Sequence, residues 1–546
     1  MLHIAVALFY SYQSVRSVYE KISIEKLILL VFCSLFVSIV LIGYGLSAVF
    51  LPTEPAYFTL LMALAGGALY IRNKDRKFTV EYSRARIAIA FIIIGATFLL
   101  YMWPALPDFG EPCHGGDCFT HMTTINYIFD EKDMGMRTEY AFRTMKNYPL
   151  GMHINAAVLS AFMGVHPFLL TYPMLAFAAA LAAFACYCAA REGTKGAAAL
   201  APLLFIAASA YPISALAAFG FWSHMIGILL ILAAAVIALD YRKTPTPELL
   251  LAQISCVIAL LFTYNIWMPV AAAVFLAAWH YSGKRSLRHA ALFAAAWGAA
   301  FLFQLPGILS NSSIAAADGN VMHYDTGISM VFLPILAMAG ARAAFVRPET
   351  RLFAVFVGFA ALQTIFFLTG MAFFGMAQYW FFKNFYLLLY PLSVLAGIGL
   401  MELLQNRMRP PAALLTLAVV ALLLIAFNDR MLAAVSGHEQ REWLSPMDDS
   451  FQYGRMAGLP KIMNISFFIR GLPLQDDVYY AGPMGDPCWV YSITRHRIFY
   501  EGIPSTEFVP QQRVLYTDGK FAVYRGPITN ATPTKCYGWV LESIRR

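Results

Sequence analysis

Asp117 and His121 are four residues apart, and a second histidine, His153, ends the run Tyr148-Pro149-Leu150-Gly151-Met152-His153 further along the chain. Residues at i and i+4 of a helix share a face, so this carboxylate and this imidazole can act together. The acid can take a proton from a hydroxyl, and the histidine can orient that acid or meet an anion. A helix-capping acid beside a loop histidine fits the same spacing. The flanking segments are almost wholly apolar, and ionisable groups at a bilayer boundary are costly to keep, which marks the stretch as a candidate site. Asp117, Thr120, His121 and Thr124 recur at helical spacing, which predicts a helix starting near Gly115-Gly116-Asp117 with the acid at the positive end of its dipole.

Lys383 is the second unusual residue. It stands in Gln378-Tyr379-Trp380-Phe381-Phe382-Lys383-Asn384-Phe385-Tyr386, at the start of an apolar run. Such a lysine either snorkels to the interface with no further role or neutralises a lipid-linked phosphate, with the aromatics lining a tail or a sugar. Asp108 and Glu111 are further acids upstream of Asp117, and His323 sits with Tyr324 and Asp325 in a polar loop. That loop either lines the path of a substrate or is an ordinary connection. His224, after Phe221-Trp222-Ser223, reads as a packing histidine in an apolar run, and Trp222 and Trp380 as sugar platforms or members of an aromatic belt.

The elements that must position these residues follow from composition. With 546 residues, 60% of them hydrophobic and 13% charged, and a mean hydropathy of +0.63, the chain is a multi-span membrane protein. A soluble domain carries about a quarter charged residues. The net charge of +8 is spread over short loops, where it reports orientation, and nucleic acid is excluded as a partner. Apolar runs near 26–50, 56–71, 86–103, 167–190, 197–215, 217–239, 249–265, 267–280, 288–309, 328–345, 352–375, 384–402 and 411–428 give about 13 membrane helices, each near the length of about 20 residues that a bilayer requires.

Basic residues favour the cytoplasmic side, and Arg72, Lys74, Arg76, Lys77, Arg84 and Arg86 fill one connection while Lys284, Arg285 and Arg288 fill another. This predicts a cytoplasmic N-terminal segment over 1–25, a membrane domain over 26–428 with an external loop at 104–166, and an external domain over 429–546. Within the loop, 149–165 reads as a helix packed along or partly into the membrane. Beyond 428 polar residues return, and Val514-Leu515-Tyr516-Thr517, Asp518-Gly519 and Phe521-Ala522-Val523-Tyr524 form a hairpin signal in what reads as a small α/β domain. Cys33, Cys186, Cys188 and Cys256 fall in predicted spans, whereas Cys113, Cys118, Cys488 and Cys536 fall outside, which suggests bridges Cys113–Cys118 and Cys488–Cys536.

Gly116-Asp117-Cys118-Phe119-Thr120-His121, followed by the run ending at His153, resembles the first external loop of the GT-C superfamily of membrane glycosyltransferases. The nearest group is the polyprenyl-phosphate-sugar-dependent enzymes of bacterial envelopes, including arabinofuranosyl- and mannosyltransferases. Tyr379-Trp380-Phe381-Phe382-Lys383 is similar to an aromatic-aromatic-x-x-Lys pattern near the later spans of such enzymes. The resemblance implies a polytopic α-helical fold with a C-terminal exoplasmic α/β domain, in the plasma (inner) membrane, with the site on the exoplasmic or periplasmic face. It implies Asp117 as general base, Lys383 at the donor phosphate with His121 or His153, and Tyr148 and Tyr379 as neighbours of the substrate. The donor would be a polyprenyl-phosphate sugar and the acceptor a glycan, lipid or protein. No obligatory metal is expected, since cationic side chains can meet a monophosphate leaving group, although relatives with diphosphate donors use one. The rival readings are a flippase or transporter for lipid-linked sugars, and a non-catalytic envelope scaffold.

Overall fold

The computed structural model of the chain describes residues 1–102, 116–134, 148–193, 201, 222–283, 285–312, 329–347, 350–374 and 378–405. It also describes residues 465–466, 468–473, 478–481, 494, 498–501, 514–518, 521–524, 532–533, 535–536 and 539–540. The helices are α1 (Leu2–Val18), α2 (Ile24–Ala48), α3 (Pro55–Asn73), α4 (Arg84–Met102), α5 (Gly116–Glu131), α6 (Gly151–Met163) and α7 (Pro167–Gly193). After these come α8 (Trp222–Lys243), α9 (Pro247–Leu261), α10 (Met268–His280), α11 (Leu287–Ser312), α12 (Ser329–Val346), α13 (Arg351–Phe374) and α14 (Gln378–Gln405).

Local chemistry sets many of the ends. Pro55 and Pro247 stand in the first turns of α3 and α9, where a missing N–H costs nothing, and Thr246 caps α9 by accepting from the Leu249 amide at 3.3 Å. Gly164 ends α6 in the left-handed region, at φ 66°, as a residue without Cβ does most easily. The apolar stretch expected to break near 265–269 does so: a 3₁₀ turn over Asn265–Trp267 separates α9 from α10, and Pro269 lies in the first turn of the latter.

Among the described residues seven helices are long and apolar enough to cross a membrane: Ile24–Ala48, Arg84–Met102, Pro167–Glu192, Trp222–Lys243, Leu287–Pro306, Arg351–Phe374 and Lys383–Met401. Shorter apolar helices at Gly151–Met163, Pro247–Leu261, Asn265–His280 and Ile335–Val346 accompany them. Trp222–Lys243 is enclosed along its whole length, whereas α13 turns Leu362, Phe366 and Phe373 outward. Enclosed central helices and outward-facing Leu and Phe describe a multi-pass membrane protein, because an aqueous protein hides such faces. The expected span 411–428 lies outside the described residues, as does 197–215 apart from Ala201.

At one end of the bundle the helix termini are tied by charge. Lys26 of α2 reaches Glu192 of α7 and Asp240 of α8, each at 2.6 Å. Tyr19 donates to Asp240 at 3.1 Å, Glu25 pairs with Arg191, and Lys243 pairs with Glu192. Two short strands, β1 (Lys21–Ser23) and β2 (Thr79–Glu81), pair in parallel there and join the α1–α2 and α3–α4 connections.

The 1–25 segment differs from expectation. Leu2–Val18 is packed within the bundle alongside α3, with the two helices running in the same direction. His3 bonds Thr59 at 2.7 Å and stacks on Phe162, while Arg16 donates to the Asn73 carbonyl at 2.9 Å. The polar residues that hid this helix from hydropathy, Ser11, Gln13 and Ser17, are buried, and Asn73 donates to the Gln13 carbonyl at 3.2 Å. The starts of α1 and α3 therefore share the end of the bundle opposite the charge cluster, the end that also holds the close of α5, where the Thr53 amide bonds the Lys132 carbonyl at 2.6 Å.

Late in the chain, β3 (Val478–Ala481), β4 (Ile498–Glu501), β5 (Val514–Asp518), β6 (Phe521–Tyr524) and β7 (Thr532–Pro533) make a sheet in the order β5-β6-β3-β4-β7. The expected hairpin is present as the antiparallel β5–β6 pair, and β3–β4 is parallel. A separate pair, β8 (Lys535–Cys536) and β9 (Trp539–Val540), follows.

Candidate functional site

The first turn of α6 is fixed before any chemistry enters. The Gly151 amide donates to the Phe262 carbonyl at 2.8 Å, and the Leu150 amide donates to the Tyr44 hydroxyl at 2.8 Å. Tyr44 in turn stacks on Phe262, with ring centroids 4.1 Å apart. Glycine is required at 151 because a Cβ there would fall on the Thr263 hydroxyl and sit 2.9 Å from the Phe262 carbonyl oxygen. α6 is thus pinned to the junction of α9 with the 3₁₀ turn, and His153 is held in the first turn of the helix.

α5 brings His121 to it. His121 Nδ1 and His153 Nε2 are 2.8 Å apart, both rings are buried, and Tyr148 meets both edge-on at centroid distances of 5.6 and 5.9 Å. One of the two nitrogens must carry a proton and the other a lone pair, so the rings cannot both be cations. Burial, and then the neighbouring His121, hold His153 well below the ordinary histidine range, which keeps it neutral. Trp222, the first residue of α8, lies against the other face of His121 at 5.6 Å with 26° between the planes.

Two residues on, His224 points away from this group, since successive helix positions turn by about 100°. It sits 4.2 Å from the Trp267 ring and 5.0 Å from the Tyr264 ring. Lys383 is only 2% exposed. A snorkelling lysine keeps its head in water, whereas this side chain is enclosed by the protein. Beside it, Gln363 donates to the Asn384 side chain at 2.5 Å and to the Ile266 carbonyl at 2.9 Å, and Asn384 donates to the Trp380 carbonyl at 2.7 Å. The first turn of α8 thus has two faces: Trp222 lies against His121, which His153 and Tyr148 also meet, and His224 lies against Tyr264 and Trp267.

Of the residues singled out from sequence, His121, His153 and Tyr148 come together directly, and Lys383 is buried in α14. Asp117 lies in the first turn of α5, one helical turn before His121. For Asp117, Cys118 and Tyr379 the described part is the helical backbone alone. Asp108, Glu111, His323, Cys113 and Cys488 lie outside the described residues, and of Cys536 the strand backbone is described. Cys33, Cys186, Cys188 and Cys256 are free thiols buried in the bundle. Sequence reasoning gave His224 a packing role, read Trp222 as a sugar platform or a member of an aromatic belt, and did not single out Gln363 or Asn384. The signal was a polar-aromatic cluster at the start of an apolar helix, which Trp222-Ser223-His224 shares with Trp380-Phe381-Phe382-Lys383-Asn384.

No protein-family model matches the chain, and no curated protein matches it. Among solved structures, the apo oligosaccharyltransferase of Archaeoglobus fulgidus is similar over 76% of this chain, at 11% identity and a TM-score of 0.43. Archaeal oligosaccharyltransferase AglB from the same organism, solved with an inhibitory peptide and a dolichol-phosphate, gives 76%, 11% and 0.40. The chain spans 65% of the length of each.

Proposed function

We propose that the chain is a membrane glycosyltransferase that moves a sugar from a polyprenyl-phosphate donor to a glycan, lipid or protein acceptor at the external face. The observation that carries the reading is the buried His121–His153 pair, 2.8 Å apart and one helical turn from Asp117, in a bundle whose α14 buries Lys383. A lysine on a helix that also carries Trp380, Phe381 and Phe385 offers a cation and apolar surface together, the two things a phosphate on an apolar tail requires. In the reaction the acceptor oxygen bonds to the anomeric carbon while the bond from that carbon to the phosphate oxygen breaks. The electron pair leaves with the lipid phosphate, held by Lys383 and His224, and the acceptor proton passes to Asp117. His121, one turn from Asp117, orients that acid and is itself oriented by His153. Cationic side chains supply the charge at the phosphate, so no metal is assigned a step.

The test is transfer from radiolabelled polyprenyl-phosphate sugars by the purified chain in lipid vesicles. Asp117→Asn should lower transfer by about 10²–10⁴-fold, the usual contribution of a general base, with folding unchanged. Wild-type transfer by that variant would remove Asp117 as the base. Relocation of donor without product would identify a flippase instead, and neither event a scaffold.

A further inference from the structure

We infer that Arg470 is a positioning residue that clamps the far end of α5 and through that helix sets where Asp117 and His121 stand. The inference rests on the proposed reaction only for what α5 carries; the clamp is read from geometry alone. Arg470 follows the membrane bundle by many residues, yet its guanidinium donates from Nη2 to Asp130 Oδ1 at 2.8 Å and from Nη1 to His166 Nε2 at 2.5 Å. These partners lie 340 and 304 residues away in the chain. The segment around it is anchored by packing as well: Ile465 and Ile469 are fully buried, and Phe468 and Leu472 press on the same core.

The partners make the contact specific. Asp130 stands in the last turn of α5, where a carboxylate opposes the helix dipole and needs a compensating cation. Arg470 supplies it. A guanidinium can only donate, so His166 meets Arg470 with Nε2 as the acceptor. Burial, and then Arg470 itself, push His166 down to about 3, which keeps that ring neutral and able to accept. Lys132, just beyond the helix in the left-handed region at φ 56°, lies over the Phe129 ring at 4.4 Å, and its carbonyl accepts from Thr53. One end of α5 is thereby fastened to the α2–α3 turn, to the α6–α7 turn and to the segment around 470.

Leverage makes this end matter for the other. Asp117 is thirteen residues from Asp130, about 20 Å along a helix, so a tilt of about 10° at the clamp displaces Asp117 by roughly 3 Å. A misplacement of about 1 Å is enough to cost about 100-fold in a positioned reaction.

The experiment compares the wild-type chain, Arg470→Ala, Asp130→Asn and the charge-reversed pair Asp130→Arg with Arg470→Asp, all in lipid nanodiscs. Hydrogen exchange of the 121–131 amides should speed up at least tenfold in each single variant, and kcat for sugar transfer should fall at least tenfold with donor KM unchanged. The reversed pair should restore both, which a side chain with only a packing role would not allow, and it keeps the test decisive should a single variant fold poorly. Unchanged exchange in both single variants overturns the clamp. Faster exchange with wild-type kcat overturns positioning, and a raised donor KM would make Arg470 a substrate contact instead. If the wild-type chain transfers no sugar, the functional reading fails while the exchange measurements still decide the clamp.

Discussion

Lys383 shows what burial adds to residue type. Its place before an apolar run was visible in sequence, but the choice between interface and interior was not, because hydropathy does not say which face of a helix meets its neighbours. At 2% exposure the ammonium has lost its water, and each charge-assisted hydrogen bond to a phosphate is then worth about 1.5–3 kcal/mol. Lys383→Met should weaken binding of a polyprenyl-phosphate sugar by about 10–150-fold, while thermal stability holds or rises, since Met fills the space without desolvating a charge. Donor affinity equal to wild type would make Lys383 a structural residue. His121 and His153 were likewise legible by type and not as partners: they are 32 residues apart, and nothing local says that their rings meet. The contact of Trp222 with His121 was not legible for the same reason, because it exists only after α5 and α8 have packed.

At the scale of elements, periodicity and apolar length located most helices to within a few residues, including the break at Asn265–Trp267 and the start of α5 at Gly116. Crossings were not legible. Gly340 of α12 and Gly399 of α14 meet backbone to backbone: a Cβ on Gly340 would fall on the Leu395 carbonyl, and one on Gly399 on that of Leu336. In lipid, where tails are as apolar as leucine, such small-residue contacts replace the hydrophobic effect as the force joining helices. Gly399→Val should separate α12 from α14 and destabilise the bundle by about 1–3 kcal/mol or more, read as a lower unfolding midpoint in mild detergent. Since α14 carries Lys383, the same variant should lose donor affinity. Gly399→Ala should fall between the two, and a Gly399→Val midpoint equal to wild type would show that the helices do not meet at this point.

For the whole molecule, α1 changes how the chain is threaded. Hydropathy passed over it because of Ser11, Gln13, Ser14, Arg16 and Ser17; Arg16 donates to the Asn73 carbonyl of α3, while Ser14 and Ser17 donate to carbonyls within α1. Because α1 and α3 run the same way, Leu2 belongs to the face that carries α5, whichever face that is in the cell. A cysteine introduced at Leu2, which is 72% exposed, should react with an impermeant maleimide from the same side of sealed vesicles as one introduced at Phe50, and from the side opposite one at Lys74. Labelling of positions 2 and 74 from one side would show that α1 does not cross. The sheet order β5-β6-β3-β4-β7 was legible only at its hairpin, because the β3–β4 pairing depends on contacts between distant parts of the chain.

The bond between Asp130 and Arg470 also sets a schedule. Translation proceeds at about 5–20 residues per second, so the 340 residues between them take about 17–70 s to synthesise. Throughout that interval α5 and its Thr53 bond can already be in place while the Arg470 bond cannot, so this end of the helix is completed only when most of the chain has left the ribosome.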